Sequence, residues 1–151
     1  MVTVTAGPEE SFGVDGSFIL WDEYPRKAEG DLCTGERSLY HGIGASTGLT
    51  LMTVTGEPVA ASSLGQGRIA SSTDLIALAT AAGEKATVGE VENLLAEVRL
   101  LPCLFGFQFT VDARAAGADG YVIRLGSWGE LTMSEEDLRK PGAVQMSIGL
   151  R

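Results

Sequence analysis

The most informative stretch of the chain is residues 87–125, where the spacing of apolar positions changes from helical to extended. Val88, Val91, Leu95 and Val98 follow at the 3,4,3 spacing of one helical face, and Leu94 and Leu101 widen the stripe. Glu90, Glu92, Asn93, Glu97 and Arg99 take the other side. Thr87-Val88-Gly89-Glu90 has the form of a capping box. In that motif the Thr hydroxyl accepts from the backbone N–H three residues on, and the Glu carboxylate reaches back to the cap's own N–H. Pro102 lacks an N–H and disfavours helix in the residue before it, so the spacing predicts a helix over 88–101. Beyond it the period is two. Phe105, Phe107, Phe109 and Val111 alternate with Gly106, Gln108, Thr110 and Asp112. After a small-residue turn at 114–120, Tyr121, Ile123 and Leu125 alternate with Val122 and Arg124. This reads as a β-hairpin with its phenylalanines on one face. The helix stripe is the expected cover for that face. Burying each Phe is worth roughly 1.5–3 kcal/mol, enough to anchor a core.

The first half reads as β. Val2 and Val4 alternate with Thr3 and Thr5 before Gly7-Pro8 breaks the pattern, and Asp15-Gly16 is a turn signal ahead of an apolar strand at 17–21. Residues 26–37 are polar and mixed in charge, the pattern of an exposed loop. Leu39-Tyr40-His41 and residues 49–54 suggest further strands, and residues 62–68 suggest a loop. A helix over about 73–82 has Ser71, Ser72, Thr73 and Asp74 as possible caps and stops at Gly83. After a bend at 126–129, capping patterns at Thr132 and at Ser134 with Asp137 predict a short third helix near 133–140. Val144, Met146, Ile148 and Leu150 then alternate as a last strand. The expected fold is α+β. One domain spans 1–151, with a largely antiparallel sheet, the two main helices on one face, and a weak seam near 62–70.

Charge and composition narrow the function classes. A net charge of −9, with eleven basic residues scattered along the chain, argues against nucleic acid as a partner. No apolar run approaches the roughly 18 residues of a membrane-spanning helix. The start, Met1-Val2-Thr3-Val4-Thr5, lacks a signal peptide's basic and apolar regions. A soluble protein, cytoplasmic or borne on a particle, is the expectation.

Candidate chemistry is sparse. Cys33 and Cys103 have no CxxC spacing, and with one histidine they set out no metal site. In a reducing compartment two free thiols are expected. Gly42, Gly44 and Gly48 could cradle a phosphate only if they opened a helix. A strand pattern follows them and no Lys does, so they read as a hairpin connection or bulge. His41 is the one residue whose type ordinarily changes charge near neutral pH, and Asp22, Glu23, Cys33 and Cys103 are available as catalytic companions. Cys103, between Pro102 and Leu104, reads as an inert buried thiol. Glu135, Glu136 and Asp137 suit the first turn of a helix, where the dipole favours negative charge. No stretch matches a known family's motif closely enough to carry residue roles over, and no cofactor is implied.

The sequence thus leans away from an enzyme. Its first expectation is a structural or interaction subunit that assembles with itself or into a larger complex such as a phage-like particle. Its surfaces would be Val144, Met146 and Ile148 or the Val2 and Val4 strand, whereas the acids Glu135, Glu136 and Asp137, or Asp22 and Glu23, would serve an inhibitor. The alternatives are an acidic inhibitor or immunity-type protein covering a basic partner such as a nuclease toxin, or a cofactor-free enzyme or small-ligand binder built on His41 with Asp22 and Glu23.

Overall fold

The computed structural model of the chain describes residues 11–24, 26–35, 40, 42–98, 100–112, 119–140, 142 and 144–149. In chain order its elements are β1 (Phe12–Asp22), β2 (Leu32–Cys33), β3 (Gly48–Thr53), β4 (Pro58–Ser63), β5 (Gly67–Ile69), α1 (Ser72–Ala81) and α2 (Val88–Val98). There follow β6 (Leu101–Val111), β7 (Tyr121–Leu125), β8 (Gly129–Met133), α3 (Glu135–Arg139) and β9 (Val144–Ile148). They make one α+β domain of two sheets, ordered β2-β5-β6-β1-β9 and β4-β3-β7-β8. All pairings are antiparallel except β1 with β9.

β1 and β6 pair along their whole length, from Phe12 opposite Val111 to Asp22 opposite Leu101. Asp15-Gly16 is therefore mid-strand and not the turn the dipeptide suggests. The glycine is there for packing, since the Phe107 ring occupies the place a Cβ on Gly16 would take. Alternation sends Val14, Phe18 and Leu20 to the same face as Phe105, Phe107 and Phe109. Phe18 and Phe105 stack with ring centroids 5.8 Å apart, and Phe107 meets Phe109 edge-on at 5.7 Å.

The cover for this face differs from the sequence expectation. The buried cluster joins these residues to Leu49, Leu51, Tyr121, Ile123 and Leu125 of the four-stranded sheet and to Leu138 of α3, with no side chain of α1 or α2. The second sheet, not the helix stripe, covers the phenylalanines. For the same reason β6 and β7 are not a hairpin: β7 pairs with β3 and β8, across the core from β6. Both strands turn an apolar face inward, and alternation alone does not say whether two such faces lie side by side or opposite.

Residues 62–68, expected as loop, form a corner between the sheets. Ser62 and Ser63 end β4, and Leu64 exchanges backbone bonds with Ser46 and Thr47. Gly65 then donates to Gly106 of β6, and β5 begins. The glycine stretch before β3 is not a hairpin connection, because it leads from β2 in one sheet to β3 in the other. Gly44 N donates to Thr47 Oγ1, and that hydroxyl donates to the Gly42 carbonyl.

The caps appear as the sequence sets them except at Thr132, which with Met133 belongs to β8, so that α3 starts only at Glu135. Ser71 and Asp74 exchange bonds at the start of α1, Thr87 and Glu90 do so at the start of α2, and Ser134 accepts from Asp137 N at α3. α2 ends at Val98, short of 101, because Leu101 and Pro102 already belong to β6. The C-terminal half of α1 meets the edge strand β9. Gln145, on the face opposite Val144 and Met146, donates to the Leu78 carbonyl at 2.7 Å. α3 closes one end of the sandwich. The Arg139 guanidinium lies 3.8 Å from the centroid of the Phe12 ring, and Tyr121 donates to Glu135 at 3.0 Å. Among the described residues no helix is long and apolar enough to cross a membrane.

Residues 26–37, expected as exposed loop, contain edge strand β2, and Cys33 is buried in it. Contrary to the expected free thiols, Cys33 and Cys103 form a disulfide, with Cα atoms 5.9 Å apart. Two strand spacings normally separate first from third strand by about 9.6 Å, so the sheet rolls sharply over β5. Gly67 permits this, because a Cβ there would meet the Phe105 ring and the Cys33 carbonyl. Folding, not spacing along the chain, brings the two sulfurs together.

Two stability predictions follow from this packing. The bond closes a loop across a sequence separation of 70, so Cys33→Ser with Cys103→Ser should lower unfolding free energy by about 4 kcal/mol in a urea titration. Gly16→Ala should cost about 1–3 kcal/mol by crowding Phe107. Gly106→Ala, where a Cβ meets nothing within 4 Å, should be neutral or slightly stabilising.

Candidate functional site

The residues proposed for catalysis do not come together as a site. Asp22 is 0% exposed at the end of β1, and its carboxylate accepts from Glu23 N at 2.8 Å. Glu23 is exposed. Cys33, the candidate nucleophile, has no thiol, its sulfur being bonded to Cys103. His41 lies outside the described residues, as do Val2, Val4, Leu39 and Leu150. Among the described residues no group of three or more His, Cys, Asp and Glu side chains could hold a metal ion.

The residues proposed for interaction are largely committed within the chain. Val144 and Met146 are buried in the core and Ile148 is half-buried against it. The acids of α3 have partners of their own. Glu135 pairs with Arg139 at 3.2 Å, and Lys140 reaches Asp137 at 3.5 Å and Glu136 at 3.8 Å. These exposed pairs are worth little each, but they leave α3 nearly charge-matched.

A shallow open cleft of about 600 Å³ lies where β4 parts from β1 and β6, lined by Asp15, Ser62, Ser63 and Gln108 over Gly106 and Phe107. It holds one carboxylate with hydroxyls and an amide, all solvated. A second hollow of about 350 Å³ lies between Ala81 and Gly83 at the end of α1, Met133, and Asp137 with Lys140. The first offers no paired acid and base, and in the second Asp137 and Lys140 already pair with each other at 3.5 Å.

The feature that stands apart is the segment between β5 and β6. These strands are antiparallel neighbours, with Ile69 opposite Cys103 and Ala70 N donating to the Pro102 carbonyl at 2.9 Å. A two-residue turn could join such a pair. The chain instead inserts a helical hairpin, α1 and α2. After Asp74 every residue of α1 is uncharged, and Leu75, Ile76, Leu78 and three alanines make it apolar almost all round. A helix of that kind is normally buried, yet none of its side chains is. On α2 Val91 is buried, while Val88 and Leu94 on its flanks are 52% and 38% exposed.

The apolar stripe of α2 is visible in sequence, but its incomplete burial is not. The available signal was α1, whose composition demands a cover that the described residues supply only in part. A scan of protein-family models, a search of curated proteins and a search of solved structures each returned no match.

The two carboxylates at the end of β1 separate by burial. Asp22→Ala should cost about 1–3 kcal/mol by leaving the Glu23 N–H without its acceptor. Glu23→Ala should stay within about 0.5 kcal/mol. Equal losses in denaturant titrations would show that Asp22 is not a structural residue.

Proposed function

We propose that the protein is a non-catalytic interaction subunit that joins a larger assembly through the α1–α2 hairpin. The observation that carries this reading is an apolar helix pair, inserted between two strands that need no such connection, with α1 burying none of its side chains. Long excursions from a rigid scaffold are where binding surfaces usually sit. Scattered exposed apolar residues such as Leu32 and Val54 need no explanation. An apolar helix with no fully buried side chain does. The disulfide supports a working place outside a reducing cytosol, in keeping with a particle-borne or exported protein.

The test is the size of the particle that contains the chain in extracts of cells expressing it at natural level. Wild-type protein should fractionate well above 15.8 kDa. Val88→Asp with Leu94→Asp should return it to monomer size while changing stability by less than about 1 kcal/mol, because both side chains are already half exposed. Wild-type protein running as a monomer in such an extract would overturn the proposal.

A further inference from the structure

We infer that the partner seated on the α1–α2 hairpin presents an apolar face rimmed by lysine and arginine. This rests on the reading of the hairpin as the docking surface and adds the chemistry of what docks there. Between Ser72 and Val98 the chain carries Asp74, Glu84, Glu90, Glu92 and Glu97 against a single base, Lys85. Asp74, Glu84, Glu90 and Glu92 are exposed, and none is in an ion pair among the described residues. Asp74 and Glu90 also accept the capping bonds of Ser71 and Thr87, which hold them at the helix starts. The contrast is α3, whose acids are matched by Arg139 and Lys140. The hairpin therefore offers apolar flanks at Val88 and Leu94 inside an acidic border without an ion-pair partner among the described residues.

That border selects the occupant. A second copy of this chain would bring the same acids against one another, and like charges across an interface are strongly disfavoured. A partner with lysine or arginine around an apolar stripe meets both demands. It covers the apolar side chains and matches the border, and the net charge of −9 draws it in at long range. An amphipathic helix laid along the hairpin is the simplest form of such a partner.

The probe is a synthetic amphipathic helix with leucines at i, i+3, i+4 and i+7 and lysines on both flanks. It is titrated into the full chain beside the same peptide with glutamates in the lysine positions. The lysine peptide should bind at least about tenfold tighter, a difference of about 1.4 kcal/mol, and should weaken as salt rises. Glu84→Lys with Glu92→Lys should reduce that preference, and Val88→Asp with Leu94→Asp should remove binding. Equal binding of the two peptides, or binding of neither, overturns the inference. So does lysine-peptide binding that the Val88 and Leu94 substitutions leave unchanged, because the peptide then sits on another acidic surface. A self-dimer lost on those same substitutions overturns it too. If the large particle in cell extracts depends on Val88 and Leu94 but the lysine peptide does not bind, the docking surface stands and its basic partner falls. If the particle is absent, the docking surface itself falls.

Discussion

The structure depends on the end-to-end pairing of β1 with β6. Eleven residues on each strand face one another, and the register puts Phe18 beside Phe105 and Gly16 beside Phe107. A slip of one residue would turn the phenylalanines to solvent and leave the Phe107 ring without the gap that Gly16 provides. Around this pair β5 adds to one side, β9 adds in parallel to the other, and β2 hangs on β5. The four-stranded sheet then needs only to lay Leu49, Leu51, Tyr121, Ile123 and Leu125 over the inner face.

A sandwich that closes in this way has no need of α1 and α2 for its core. The hairpin stands between two strands already hydrogen-bonded to each other, and its apolar side chains are additional to the buried cluster. A helix as short as α1 is marginal in water without tertiary support. What it has is α2, the Gln145 bond to the Leu78 carbonyl, and the crowding of Ala81 near Gly142. Such a pair is ordered enough to present a surface and apolar enough to be better covered.

Local features were legible in the sequence, and the relations between distant segments were not. The caps at Thr87 and Ser134, the end of α1 near Gly83 and the alternation of β6, β7 and β9 all rest on neighbours a few residues apart. Each appears where the spacing puts it. The errors are of another kind. Alternation shows that β6 and β7 each have an apolar face, but not that those faces meet across the core. Asp15-Gly16 carries turn chemistry locally, and only the ring of Phe107, far along the chain, explains the glycine as a strand residue. Cys33 and Cys103 look unrelated until β5 is placed between them. The candidate site was hidden for the same reason. The stripe from Val88 to Val98 looks like a core stripe until the core is found to be filled from elsewhere.

The disulfide and the hairpin then belong to one arrangement. Cys103 lies opposite Ile69, the last residue of β5, and the next residues along, Ala70 and Pro102, share the bond that closes the base of the hairpin. The covalent link ties Cys103 on β6 to Cys33 on β2, across β5, and so braces the part of the sheet from which α1 and α2 project. Binding through a surface that must first be ordered loses part of its interaction energy to that ordering, and binding through a surface already held in place loses less. A braced base under a helix pair whose apolar side chains are left partly exposed suits the docking role proposed for it.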